Sequence, residues 1–313
     1  MKSINPKPLQ KKDCIYITAP SGALKKEDLD FALHLIEKKG FTAKIAPHCL
    51  DVYNFGYAYG GKPKDRVKDL QKGLDDPTIK AIWCARGGYG MVQLLDQLNF
   101  SSFKKNPKWI IGYSDITALH NQINLLGIPT IHGVTAKVLP GGNSPESYQD
   151  VFSILKGKST QIEFFHPKNK PFKDFSGEIV GGNLSIVYSL LGSPSAVKTK
   201  NKILFLEDWY EDFYHLDRML ENLKRNGLFA DAKAILIGGF TKMDTKEENP
   251  NYLGDFDQMA YRIICEKLKN LEVPVLFGVP SGHISHHLPL IFESKAKFSY
   301  KEDKVVIKFK PSF

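Results

Sequence analysis

The sequence predicts an α/β protein, with a mainly parallel N-terminal sheet flanked by helices and a mixed α/β domain after it. Two observations carry that expectation. Through the first 133 residues, short apolar runs alternate with helix-length amphipathic stretches, the pattern of a parallel sheet with helical crossovers. Past residue 170 the apolar runs continue, but only two long helical stretches separate them and the end is β-rich.

The elements follow in order. "DCIYITAP" (13–20) reads as a strand with "SG" as its turn. In "KKEDLDFALHLIEKKG" (25–40), Leu29, Ala32, Leu33 and Ile36 fall at helical spacing, and Gly40 closes the helix. "FTAKIA" (41–46) is a strand, "PKDRVKDLQKGLDD" (63–76) a polar helix, and "IKAIWCA" (79–85) a strand running into "RGGYG". "MVQLLDQL" (91–98) is helical, "KWIIGY" (108–113) a strand, "DITALHNQINLLG" (115–127) a helix and "IPTIHG" (128–133) a strand. The layering expected is flavodoxin-like or Rossmann-like, with ligands beyond the carboxyl ends of the strands, where "RGGYG" and "GYSD" both belong.

The pattern loosens around "LPGGNSPESYQD", where a helix, "YQDVFSILKG" (148–157), leads into "STQIEFFHPKNKPFKDFSGEIVGGN" with short β runs, so the domains are expected at 1–145 and 171–313, with 146–170 as a linker. The second domain offers "KILFLED", "AKAILIGGF" and "VPVLFGVP" as strands. Its helices are "YHLDRMLENLKRNGLF" and "DFDQMAYRIICEKLKNL", and a terminal hairpin of "KAKFSY" and "KVVIKF" turns at "KED".

Composition bounds the function. At 42% hydrophobic and 25% charged residues, the chain has the make-up of an ordinary globular protein long enough for two moderate cores. There is no apolar run of transmembrane length and no apolar core in "MKSINPKPLQKKDC", so a cytoplasmic protein with no membrane partner is expected. Cys14, Cys49, Cys84 and Cys265 show no paired spacing, which argues against a zinc site or a disulfide framework. The 43 basic and 34 acidic residues give +9, but the lysines alternate with acids as on solvated helix faces. Nucleic-acid binding is therefore not expected, whereas an anionic small substrate is compatible with the field.

Ser114, at the end of "KWIIGY" and before a helix, has two readings on these residues alone. It caps the helix, or it is a nucleophile on a tight strand-to-helix turn. Among the nine histidines, His34 belongs to a surface helix and His120 lies six residues into the helix after Ser114. His283, in "GVPSGHISHHLPL", follows an apolar strand, where a base would stand. His286 and His287 are close to it, but the spacing lacks a paired carboxylate, and no metal is expected. Glu207 ends "ILFLE" and either orients an imidazole or loads the next helix; Asp208, Glu211 and Asp212 are read as helix-loading acids. "ARGGYG" is a tight turn, a phosphate-binding loop or an oxyanion hole in which N–H groups of Gly87 or Gly88 join that of Asp115.

Taken together, "ITAPSG", "ARGGYG", "GYSD", "GEIVGGNLS", "LFLED" and "GVPSGH…LPL" resemble the serine LD-carboxypeptidases, or muramoyltetrapeptide carboxypeptidases, peptidase family S66. The microcin-immunity peptidases are related to them. The resemblance covers nearly the whole chain and places the family's nucleophile–Glu–His order on Ser114, Glu207 and His283. The turn departs from GxSxG at Ile116, although the family's own motif ends in aspartate. What the resemblance implies is a cytoplasmic hydrolase that removes terminal D-alanine from murein tetrapeptides without metal or cofactor. Its active site would lie between the two domains, and its partner would be the murein peptide, with a homodimer allowed. An immunity-type relative would instead cleave an acylated nucleotide-like toxin, with Trp209 or Tyr210 stacking the base. A non-hydrolytic phosphate-binding protein is the third reading.

Overall fold

A computed structural model describes residues 5–137, 143–244 and 256–310. The first four residues of the N-terminal stretch read for targeting, part of "LPGGN", and Asp255 at the head of the second C-terminal helix lie outside these described residues.

The strands are β1 (Cys14–Thr18), β2 (Thr42–Ile45), β3 (Tyr53–Asn54), β4 (Ala58–Tyr59), β5 (Ile79–Cys84), β6 (Trp109–Gly112), β7 (Thr130–His132) and β8 (Thr160–Phe164). They continue with β9 (Phe175–Asn183), β10 (Ile203–Trp209), β11 (Ala234–Thr241), β12 (Val275–Phe277), β13 (Leu290–Phe292), β14 (Lys295–Lys301) and β15 (Lys304–Phe309). The helices are α1 (Asp30–Lys38), α2 (Pro63–Asp75), α3 (Ser101–Lys105), α4 (Thr117–Asn124), α5 (Pro145–Leu155), α6 (Leu184–Ser189), α7 (Phe213–Arg225) and α8 (Gln258–Leu268).

Ten strands run in the spatial order β12-β11-β10-β9-β13-β7-β6-β5-β1-β2. From β2 to β7 the pairings are parallel, and from β9 to β12 they are parallel again. β13 joins the two sets, antiparallel to β7 and parallel to β9. Such strands are covered on both faces, which is why β6 and β11 are buried at every residue and read as unbroken apolar runs. β8, β15 and β14 form an antiparallel layer attached at β9. Its terminal hairpin turns at Glu302 and Asp303, whose φ of +48° and +60° match the right-handed twist of the strands.

Some expectations need correction. "MVQLLDQL" forms two short 3₁₀ turns, Met91–Gln93 and Leu95–Gln97, rather than a helix. α2 is not polar throughout: Arg66, Asp69, Leu70, Gly73 and Leu74 make a buried face. Residues 146–170, expected as a linker, hold most of α5, with Val151, Phe152 and Leu155 buried, and β8, paired with β15. The larger hydrophobic cluster also crosses the halves, joining Ile17 and Ile111 with Ile203, Phe205 and Phe292. A second cluster lies in the C-terminal half under α7 and α8.

α7 buries Leu216, Met219, Leu220 and Leu223 at helical spacing. Leu220→Ala should therefore cost about 2–5 kcal/mol of stability. Tyr214→Ala, on the exposed face of the same helix, should change it by no more than about 0.5 kcal/mol. Urea unfolding of both variants checks the pair.

Candidate active site

β6 ends on the buried Gly112 and Tyr113, and Ser114 follows with φ of +63°, a left-handed backbone that a non-glycine residue seldom adopts. A 3₁₀ turn, Ser114–Ile116, then leads into α4. The capping reading of Ser114 fails here. The N-cap of α4 is Ile116, and neither the Ser114 nor the Asp115 side chain makes a capping bond. The strained turn instead lifts Ser114 to the carboxyl edge of the sheet, half-buried.

The "RGGYG" loop lies directly against it. A Cβ on Gly87 would sit 2.9 Å from Ser114 Cβ and 3.0 Å from its Oγ, so no side chain fits there. Asp115 is engaged through its side chain: the buried carboxylate accepts the Met91 N–H at 2.8 Å. Burial pushes that carboxyl up to about 6, against the pull of Ser21, the Met91 N–H and the Arg66 guanidinium. Arg66, buried on α2, donates to the carbonyls of Pro20, Gly61 and Gly90 and to Gln93, fastening three loops around the turn.

The second half supplies the acid and the imidazole. β10 carries Ile203–Leu206 into the core, and its pairing with β11 slips by one residue between Leu206 and Asp208. Such bulges re-aim side chains beside active sites. Glu207, in that slip, is fully buried, and its Oε2 accepts both His283 Nδ1–H at 2.7 Å and the His283 backbone N–H at 3.1 Å. With Nδ1 donating, the neutral ring keeps its lone pair on Nε2. Burial lowers the basicity of His283, but the Glu207 charge, its hydrogen bond and then Asp208 more than reverse this, so the pKa is raised. The His283 carbonyl is held in turn by Thr241 Oγ1 at 2.9 Å.

Two aromatic rings hold the imidazole from opposite halves of the chain. Tyr113, the residue before Ser114, packs at 4.8 Å between ring centroids, and Trp209 stacks at 5.6 Å with planes 12° apart. Ser114, Glu207 and His283 are thus brought to one edge. Among the described residues, neither Ser114 Oγ nor His283 Nε2 makes a hydrogen bond, and catalytic contacts often tighten only with substrate.

The other candidates separate. Asp208 does not load α7: it is buried and accepts from Asn183 Nδ2, the Ser185 N–H and the Trp209 N–H, anchoring the start of α6. Burial and neighbouring Glu207 push its pKa up to about 8, against those donors. Glu211 and Asp212 do precede α7; Glu211 pairs with His215 and Asp212 is the N-cap. His120 is buried with Nε2 on the Gly112 carbonyl at 2.8 Å, and His34 is exposed on α1. His286 turns to Ser144, while His287 is buried between Tyr113 and His132, so the three imidazoles of "HISHH" do not converge on one point, although His283 and His287 share the Tyr113 ring. Burial, and then His283, push His287 down to about 3.

The LD-carboxypeptidase N-terminal domain matches residues 15–133, and the LD-carboxypeptidase C-terminal domain matches residues 176–298. The chain belongs to the LD-carboxypeptidase family. It is 31% identical to a probable murein peptide carboxypeptidase of Bacillus subtilis, over 96% of this chain and 93% of that one. It is 30% identical to the murein tetrapeptide carboxypeptidase of Pseudomonas aeruginosa, over 86% of this chain and 87% of the other. The muramoyltetrapeptide carboxypeptidase of Oxalobacter formigenes superposes with a TM-score of 0.81 at 24% identity, covering 95% of this chain and 98% of that one. An MccF-like protein from Bacillus anthracis superposes with a TM-score of 0.82 at 24% identity, covering 99% and 100%. As an S66 family member, the chain is a serine peptidase.

Four contributors to this LD-carboxypeptidase site escaped the sequence reading. Arg66 had a signal, because it shares the helical face of Leu70, Gly73 and Leu74. Tyr113 and the Asp115 side chain had none beyond their place beside Ser114. Asn183 closes "GEIVGGN": its N–H donates to Thr117 Oγ1 at 3.0 Å and its side chain to Asp208, tying α4 to β10.

The steric constraint that bears on the acid–imidazole pair is at Gly282, with φ of +115°, where a Cβ would meet Glu207 Oε2 at 2.6 Å. Gly282→Ala should displace His283 from Glu207 and lower kcat by about 10²-fold. Steady-state kinetics beside a thermal melt check this, and a kcat within twofold of the parent would show that the close approach is dispensable.

Proposed function

We propose that the protein is a cytoplasmic serine LD-carboxypeptidase that releases terminal D-alanine from murein tetrapeptides during cell-wall recycling. The observation that carries it is the Glu207–His283 pair packed on Tyr113, next to a serine held at positive φ. The murein-peptide names of the B. subtilis and P. aeruginosa relatives support the substrate class. The +9 charge favours an anionic peptide through its field.

In this reading Ser114 Oγ attacks the carbonyl that joins an L-centre to D-alanine, and His283 Nε2 takes its proton. The oxyanion is met by N–H groups of Asp115 and of Gly87 or Gly88. On collapse, His283 returns the proton to the leaving amine, D-alanine departs, and water then releases the acyl group by the same route. Glu207 keeps the proton on Nδ1 and stabilises the imidazolium. No metal or organic cofactor enters these steps. A second reading, cleavage of an acylated nucleotide, is favoured by Trp209, 43% exposed and stacked on His283, and by Tyr210, 62% exposed and packed on Trp209.

Incubating the protein with a murein tetrapeptide and, separately, with an acylated nucleotide distinguishes the two; D-alanine release supports the first. Ser114→Ala should lose about 10³-fold or more in that assay, because the nucleophile is gone while no hydrogen bond of the fold is removed. Turnover within tenfold of the parent would remove Ser114 from its role.

A pH profile tests Glu207. The base works only when neutral, so its raised pKa places the acid limb of kcat/KM above the ordinary histidine value of about 6.5. Glu207→Gln should move that limb to lower pH and cut the rate by up to about 10⁴-fold. An unmoved limb would mean that another group titrates.

A further inference from the structure

We infer that Arg86 and the Tyr57 hydroxyl hold the free α-carboxylate of the substrate's C-terminal residue, the contact that would make this hydrolase an exopeptidase. The inference rests on the LD-carboxypeptidase reading and adds the group that reads the substrate's end.

Arg86 is half-buried and, among the described residues, forms no ion pair. The nearby Asp28 feels its charge, but that carboxylate is engaged by Lys137 Nζ at 2.8 Å. One guanidinium nitrogen, Nη1, donates to the Ala23 carbonyl, which fixes the side chain, and the remaining donors have no partner among the described residues. A cation held in place without a counter-ion, in a partly desolvated position, is suited to a charged acceptor brought by a ligand.

Its position fits the end of a peptide. Arg86 immediately precedes Gly87, which touches Ser114. The point where a Cβ on Gly22 would stand is 3.3 Å from Arg86 Nε, 2.8 Å from the Tyr57 hydroxyl and 3.0 Å from the Gly87 carbonyl oxygen, so both donors converge on the backbone beside the loop that touches Ser114. No side chain fits at Gly22 or Gly88, where a Cβ on Gly88 would stand 2.1 Å from the Tyr57 hydroxyl. In a carboxypeptidase the terminal carboxylate lies one residue, about 3.8 Å by Cα spacing, beyond the scissile carbonyl. Arg86, next in the chain to the glycine against Ser114, borders that end of the site. Lys242 is the competing cation; it lies over the Trp209 ring at 5.7 Å, on the His283 side of the site.

The test compares kcat/KM on a murein tetrapeptide ending in D-alanine with the same peptide ending in D-alaninamide. Both share the scissile bond, so their ratio isolates recognition of the carboxylate from general damage to the site. Wild type should prefer the acid, and Arg86→Gln should reduce the acid-to-amide ratio by about 10–100-fold, the scale of a charge-assisted contact. Arg86→Lys should restore part of it, Tyr57→Phe should reduce it less, and Lys242→Gln should keep it. A wild-type ratio in Arg86→Gln, or a collapse in Lys242→Gln, overturns the assignment; if Arg86→Gln does not fold, an unchanged ratio in Tyr57→Phe overturns it. Wild type that cleaves neither peptide removes the hydrolase reading itself, and this inference with it.

Discussion

A carboxylate taken fully out of water must be met by donors, and in this structure Glu207 meets two from one residue, the ring and the backbone of His283. Much of the site's architecture follows from that requirement. The β10–β11 slip aims Glu207, the backbone at Gly282 clears its path, and Thr241 pins the His283 carbonyl. Tyr113 and Trp209 then clamp the ring, so the nucleophile turn and the acid strand are registered to each other through the imidazole. The Thr117–Asn183–Asp208 chain of hydrogen bonds makes a second tie between the same two elements.

Adjacent acids on one strand do opposite work here, which explains why residue type alone does not separate them. Successive side chains on a strand point to opposite faces. Glu207 faces the imidazole, whereas Asp208 faces Asn183 and the first N–H groups of α6. One is placed to stabilise a developing cation; the other is a buried anchor whose ionisation is resisted by burial and by its neighbour. This is the familiar separation of two carboxylates by environment.

Elements with strong periodicity were legible in the sequence: the parallel strands, α1, α7 and the terminal hairpin with its turn. The triad assignment came from the family resemblance, because Ser114 on its own residues read first as a cap. What stayed hidden depended on distant partners. β13 is a three-residue apolar run, too short to show a period, and pairs with strands far away in sequence. "MVQLLDQL" has helical spacing but is held as 3₁₀ turns beside loops fixed by Arg66 and Asp115. The segment 146–170 carries Lys156, Lys158, Lys168 and Lys170 and reads as a connection, yet Leu155 and Phe164 are buried in the core.

The strand that joins the half-sheets also sets an order in time. While the chain is being synthesised, β7 presents an unpaired edge until residues 290–292 emerge, and the nucleophile turn stands formed but without its base. His283 and β13 arrive together, the strand's last residue being nine positions after the histidine. The same short piece of chain therefore seals the sheet and brings the imidazole to the Ser114 edge, so in a nascent polypeptide the two halves of the candidate site meet only near the end of synthesis.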